Sequence, residues 1–227
     1  LFPQAEPVPW CEGAFWLKER PLFTRDPRFH AGVYYVQEAG SLFLDHVLRH
    51  WVTGPVSALD LCAAPGGKST LMRAALPAGS VLVSNEIDRR RANILLENIL
   101  KQGHPGVLVT HNAPKDFAKT NLLFDVILTD VPCSGEGLFR RDPAAISEWS
   151  PKNVYFCAER QRQILRDIWP CLKDGGLLIY STCTFNTHEN EENVRWIAEE
   201  LGAELLAVPV RPEWQITGSL LGGWKEP

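Results

Sequence analysis

Two cysteines of this 227-residue chain stand in settings that suit chemistry better than packing. Cys133 lies in D-V-P-C-S-G, three residues after Asp130, and Cys183 lies in Y-S-T-C-T-F. A thiol titrates near ~8.5, so a small thiolate fraction exists at neutral pH, and that thiolate is the soft nucleophile an electron-poor ring accepts. A single buried cysteine usually does no more than fill space. Two of them, each at the end of a strand-like apolar run and one beside an acidic residue, reverse that weighting. Cys157 and Cys171, within a long helical pattern, and Cys11, in the irregular first segment, read as packing. Cys62 belongs to a glycine loop that needs only a small side chain there.

That loop, D-L-C-A-A-P-G-G-K from Asp60 to Lys68, places Gly66 and Gly67 just before a helical pattern. Glycines let a ligand approach the backbone, and a helix N-terminus favours negative charge, carboxylate and phosphate alike. Glu86 ends the next strand-like run, ~20 residues on, where an acidic residue accepts hydrogen bonds from the two hydroxyls of a ribose. Alone, the loop also reads as a plain turn and Glu86 as a surface carboxylate. Together they describe a site for a nucleoside-containing cofactor with an unphosphorylated ribose. A phosphate-binding loop is the rival reading, since G-G-K-S-T followed by V-I-L-T-D resembles the two nucleotide motifs of an NTPase. That motif requires glycine at position 62, which is Cys62, and Pro65 removes an N–H that a phosphate cradle uses.

The elements that must carry these residues alternate. Apolar runs at 56–62, 80–87, 106–111, 124–130 and 177–183 read as strands; residues 67–76, 88–102, 150–173 and 188–201 read as helices. The turn Asp174-Gly175-Gly176 reads as the stop of the third of these helices. A further helix at 38–51 is ended by Gly54-Pro55, and the first 40 residues read as an irregular lead-in with one or two short strands. Strands apolar on both faces, alternating with helices, mean an α/β fold with a doubly wound, mainly parallel sheet. Ligands of such sheets bind at the strands' carboxyl ends. Asp60, Asn85-Glu86, His111-Asn112, Asp130 to Cys133 and Ser181 to Cys183 all fall there.

Composition narrows the remaining classes. With 45% hydrophobic and 22% charged residues, the chain has the make-up of an ordinary globular protein, and no apolar run approaches the ~18 residues of a membrane span. The six cysteines are widely spaced with no C-x-x-C, against both a zinc site and a disulfide framework, so reduced cytosolic thiols and no metal are expected. A net charge of −4 gives no whole-chain attraction to nucleic acid; an RNA surface must come from local basic clusters or from outside this chain. The sequence opens at Leu1 without an initiator Met and stops at Pro227 without a clear domain end, as expected of part of a longer protein.

The motif order D-L-C-A-A-P-G-G-K, N-E, D-V-P-C-S-G-E-G, S-T-C-T-F, preceded by V-Y-Y-V-Q-E-A-G-S, resembles the RNA cytosine-C5 methyltransferases of the Sun/Fmu (NOL/NOP/Sun) family over about residues 30–205. The resemblance implies a Rossmann-like, class I fold that takes S-adenosylmethionine. It implies that Cys62, Ala63, Ala64, Pro65, Gly66, Gly67 and Lys68 hold the methionine part, that Glu86 holds the ribose, and that Asn112 lies near the adenine. Asp130 then stands between cofactor and target base, Cys183 is the nucleophile that adds to carbon-6, and Cys133 assists release of the product. The implied partner is RNA, ribosomal rather than transfer RNA, met by a cytoplasmic monomer away from any membrane.

Two departures stand out: Asn112 replaces a usual aspartate, and Gly40 replaces a serine at a helix opening, at up to ~1 kcal/mol. Residues 1–37 read as the end of an RNA-binding region, 38–210 as the catalytic domain and 211–227 as a tail. Arg140, Arg141 and Lys152, with Phe139 and Trp149, read equally as an RNA surface or a solvated loop, and Arg89-Arg90-Arg91 as a solvent-facing helix start. A non-catalytic RNA-binding or ribosome-assembly factor is the rival from another class; it has no need of the two thiols.

Overall fold

The alternating apolar runs become parallel strands, each passing its carboxyl end to a short polar loop. The computed structural model describes residues 4–219, and its chain divides after Asn112 into two compact units. The first three residues of the expected lead-in and the last eight of the expected tail lie outside the described residues.

The first unit begins with an antiparallel pair, β1 (Glu6–Pro7) and β2 (Phe15–Trp16). Trp10 stands edge-on to Trp16 at 5.5 Å and donates its indole N–H to the Ala39 carbonyl at 3.0 Å, tying this hairpin down. After α1 (Pro27–His30), a 3-10 turn at Gly40–Leu42 leads into α2 (Phe43–Trp51). The helix expected from residue 38 therefore starts in earnest at Phe43, and Gly40 sits in the looser turn.

Three parallel strands follow: β3 (Ser57–Asp60), β4 (Val81–Asn85) and β5 (Val107–Thr110), ordered β5-β4-β3 and alternating with α3 (Gly67–Ala75) and α4 (Arg89–Gln102). Leu59 and Leu82 are fully buried in the middle of this layer, each worth roughly 1.5–3 kcal/mol of burial. Strand β5 departs from the two-sided apolar expectation, exposing Leu108, because it pairs on one edge only. Helix α4 is well bounded: Asp88 caps its first turn by accepting from the Arg91 N–H at 2.9 Å, and Gly103 closes it in the left-handed conformation. Its Leu95 and Ile99 pack on Ala63 and Ala64, which is why the loop after β3 carries small side chains.

The second unit contains α5 (Pro114–Phe117), β6 (Phe124–Asp130), α6 (Pro143–Glu148), α7 (Pro151–Ile168), β7 (Leu172–Ser181) and α8 (Glu191–Leu201). Strands β6 and β7 are parallel, with Asp130 opposite Ser181. Ser150 and Pro151 start α7, the serine hydroxyl accepting from the Asn153 N–H.

The expected helix at 150–173 stops earlier, at Ile168, because Pro170 cannot continue the hydrogen-bond ladder. Asp174-Gly175-Gly176 is consequently no helix stop but part of β7. Leu172 pairs with Phe124 and Leu177 with Val126, so residues 173–176 bulge opposite Asp125, with Gly175 at φ +72°. Lys173 closes that bulge on Asp125 at 2.7 Å. The strand ends at Ser181, leaving Thr182 and Cys183 in the loop beyond it.

Asn85, fully buried at the end of β4, holds the carboxyl ends of the first unit's strands in line. Its amide donates to the carbonyls of Leu61 (3.1 Å) and Asn112 (3.0 Å), and its oxygen accepts from the Thr110 hydroxyl (2.9 Å) and the Asn112 N–H (3.0 Å). Asn85→Ala should lower the free energy of unfolding by about 2–4 kcal/mol, each lost bond costing about 1. Urea titration should show a lower midpoint with an unchanged slope.

Candidate active site

In the first unit the loop from Leu61 to Gly66 is fixed from several sides. The Ala63 N–H donates to the Asn85 carbonyl at 2.8 Å, the Arg91 guanidinium to the Ala64 carbonyl at 2.7 Å, and the Asn98 amide to the Pro65 carbonyl at 2.7 Å. The Ala64–Pro65 peptide is cis. Gly66 has φ +113°, a conformation that requires glycine, and a Cβ there would also press on Leu95 at 3.2 Å. The turn delivers the first N–H groups of α3 to the carboxyl end of β3. Asp60, buried at that end, accepts from the Ser69 hydroxyl at 2.7 Å. Tyr35 and Gln37 lean against Gly67, which gives the Y-Y-V-Q segment a place beside the loop.

Glu86 is only 2% exposed. Its Oε1 accepts from the Asp88 N–H at 3.0 Å, whereas Oε2 receives no hydrogen bond and has Arg91 at 3.5 Å as ion-pair partner. A buried carboxylate oxygen without a donor is an unmet demand that a ligand hydroxyl would satisfy. Asn112 is exposed, just past β5, with its backbone held by Asn85. Arg89, Arg90 and Arg91 are exposed, as expected of a solvent-facing helix start, and the Arg91 guanidinium also reaches both the loop and Glu86, a contact that helix position alone does not reveal.

In the second unit the two expected thiols meet. Cys133 Sγ lies 3.0 Å from Cys183 Sγ, with no disulfide between them. Contact with Cys183, followed by burial, pushes the Cys133 thiol far above the ordinary range, so Cys133 is the partner that keeps its proton. Cys183 is the exposed one. Asp130, at the end of β6, accepts from the Ser181 hydroxyl at 2.9 Å through the register that sets them opposite.

The loops carrying the thiols are clamped together. The Gly137 N–H donates to the Cys183 carbonyl at 2.7 Å, and a Cβ on Gly137 would collide with that oxygen, so the second glycine of S-G-E-G exists for close approach. Glu136, unassigned by sequence, accepts from the Phe185 N–H at 2.8 Å, the Asn186 amide at 3.2 Å and the Trp149 indole at 3.1 Å. Burial raises the Glu136 pKa, but these hydrogen bonds outweigh it, and the carboxyl is held below its usual value. Trp149 and Phe139 are half-buried, and Trp149 belongs to this clamp; the exposed aromatic beside the thiols is Phe185. Arg140, Arg141 and Lys152 are exposed. Cys11, Cys157 and Cys171 are buried, in keeping with packing roles, though Cys171 sits in the 3-10 turn after α7.

A family model described as 16S rRNA methyltransferase RsmB/F matches residues 54–216, and one for the N-terminal domain of 16S rRNA methyltransferase RsmF matches residues 2–39. Ribosomal RNA small subunit methyltransferase F of Pectobacterium atrosepticum is 39% identical over 199 residues, covering 86% of this chain and 41% of its own length. That of Serratia proteamaculans is 36% identical over 225 residues, covering 97% and 46%. The chain thus spans less than half the length of these curated relatives. Among solved structures, NSun6 from Pyrococcus horikoshii with SFG superposes with a TM-score of 0.78 at 26% identity, over 91% of this chain and 51% of that one. A methyltransferase homolog protein from the same organism gives 0.75 at 30% identity, over 91% and 65%. The chain shares their fold, the Rossmann-like α/β type expected of the alternating elements. Among the described residues no helix is long and apolar enough to cross a membrane.

The thiol pair has a chemical consequence. Brief iodoacetamide treatment of native protein should label Cys183 first, and Cys11, Cys157 and Cys171 last, by peptide mass mapping. Cys183→Ala removes the contact that holds the proton on Cys133, so labelling of Cys133 should speed up in that variant; a slower or unchanged rate would contradict the pairing.

Proposed function

The chain belongs to the 16S rRNA methyltransferase RsmB/F family, and from that premise we propose that it transfers a methyl group to carbon-5 of a cytosine in small-subunit ribosomal RNA, in the cytoplasm. The observation that supports this best is the thiol pair, Cys133 and Cys183, 3.0 Å apart beside Asp130's strand end. A binding module has no use for two reactive sulfurs held in contact.

The residues present suit S-adenosylmethionine. The open Oε2 of Glu86 matches a ribose hydroxyl, and the N–H groups opening α3 after Gly66 match the carboxylate of a methionine. We assign Cys62 to Lys68 to that part and Asn112 to the adenine. When bound, the cofactor supplies an electrophilic methyl group. Residues 38–210 are assigned as the catalytic portion and 1–37 as the end of an RNA-binding region.

Cytosine C5 is a poor nucleophile until the ring is opened to electron flow. Cys183, the exposed thiol, adds through Sγ to C6, and the C5–C6 π pair becomes available at C5. Asp130 is assigned to accept from the exocyclic amine of the base, holding it in register for the addition. Once C5 carries the methyl, its proton leaves to a base, the double bond re-forms, and the Sγ–C6 bond breaks to return the Cys183 thiolate. Cys133 is assigned to this release. The target base must also leave any stack, at a cost of a few kcal/mol in duplex.

Titration calorimetry should show metal-independent binding of S-adenosylmethionine, weakened by about 1–3 kcal/mol in Glu86→Ala. Tight magnesium–ATP binding instead would remove the reading. With target RNA, Cys183→Ala should neither methylate nor form an adduct. Cys133→Ala should accumulate a protein–RNA adduct stable on denaturing gels, and swapped behaviour would exchange the two roles.

A further inference from the structure

The release step assigned to Cys133 demands that its sulfur be held in place, and the structure contains a buried device at that position. Glu189 is fully buried, and nothing in the assigned chemistry uses it. Its carboxylate accepts from the Ser134 N–H at 3.0 Å, the Gln161 amide at 2.7 Å and the Asn186 amide at 2.8 Å, every partner a neutral donor. Gln161, also fully buried, donates through the same nitrogen to the Pro132 carbonyl at 3.0 Å. The backbone is therefore gripped on each side of Cys133, at the Pro132 C=O by Gln161 and at the Ser134 N–H by Glu189.

The grip has a direction. Arg162 donates to the Asn193 oxygen at 2.7 Å, and the Asn193 amide donates to the Gln161 oxygen at 2.8 Å. That donor fixes which end of the Gln161 amide is oxygen, so its nitrogen faces Pro132 and Glu189, while the single Tyr180 hydroxyl proton is shared between the Glu189 carbonyl at 2.5 Å and the Gln161 oxygen at 2.9 Å. The chain of donors runs from the Arg162 cation through Asn193 and Gln161 and terminates on Glu189, which can only accept. A carboxylate buried among neutral donors costs several kcal/mol of lost hydration against a neutral isostere. That cost is offset only by the fixed orientation of the groups around it.

We infer that Glu189 is a positioning residue for the second thiol: with Gln161 it fixes the Pro132–Ser134 backbone so that Cys133 Sγ is set for product release, while the attack by Cys183 proceeds without it. This rests on the assignment of release to Cys133. Glu189→Gln keeps the volume but places an NH₂ group among three donors, so the loop must turn away and carry Cys133 with it.

The test uses rapid quench of the whole protein with target RNA and S-adenosylmethionine, beside denaturing gels for adduct. In Glu189→Gln the first methyl transfer should stay within about threefold of the parent. Steady-state turnover should fall roughly 10- to 100-fold, as for a lost hydrogen bond to a charged group, with adduct accumulating as in Cys133→Ala. A purely structural role would lower first turnover and release together without adduct, and unchanged turnover would leave the grip without function; either result overturns the inference. If Glu189→Gln does not fold, Gln161→Met removes the donor to Pro132 at similar volume and is read by the same two rates. Should Cys133→Ala itself give no adduct, the release assignment fails, which is a different outcome from a silent Glu189→Gln.

Discussion

Two sulfurs 3.0 Å apart can share one negative charge but not hold two. A second unit charge at that distance would cost roughly 5 kcal/mol even at an effective dielectric near 20. The proton must then reside on one of them, and solvent decides which: Cys183 is exposed to water that can solvate a thiolate, Cys133 is largely shielded from it. Much of the second unit's local structure serves this contact. The parallel register of β6 and β7 ends both strands at the same level, Asp130 opposite Ser181. The hydrogen bond from Gly137 to the Cys183 carbonyl and the acceptance of the Phe185 N–H by Glu136 then set the two loops at a fixed separation.

The first unit solves a different problem, that of holding a buried carboxyl group with one oxygen left unsatisfied. Glu86 is nearly inaccessible, and one of its oxygens lacks a donor. Such a group is tolerable because the Asp88 N–H holds the other oxygen and the Arg91 charge stands at 3.5 Å. Arg91 also binds the Ala64 carbonyl, so the same cation that makes the carboxylate affordable fixes the loop after β3. Pre-set geometry of this kind lowers the ordering cost a ligand must meet.

Much of this was legible in the sequence, for identifiable reasons. Strand ends show as a change from apolar to polar residues, so Asp60, Glu86, Asn112, Asp130 and the two thiols all lie where the pattern put them. The 3.0 Å meeting of the thiols was not legible, because distance across parallel strands depends on register, and register here is shifted by a bulge that the pattern disguised as a helix stop. Asp174-Gly175-Gly176 has the composition of either feature; Pro170, four residues before, decides between them. Glu136, Gln161 and Glu189 escaped for another reason. Each is a polar residue in a polar-looking stretch, and only tertiary contact shows that its partners are backbone groups beside the thiols.

The contrast between the two buried carboxylates shows what burial is being used for. Glu86 retains an open acceptor and a nearby cation, the arrangement of a group that waits for a ligand. Glu189 has donors on both oxygens, the arrangement of a group whose work is internal. An apolar residue at 189 would avoid the desolvation penalty, but it would leave the Ser134 N–H and one donor on Gln161 unpaired in the interior, each at about 1–3 kcal/mol. The network is therefore favourable only as a complete set, from Arg162 to the carboxylate. A loop held by such a set has one position rather than several of similar energy. For a thiol assigned to product release, a single position is the property that matters.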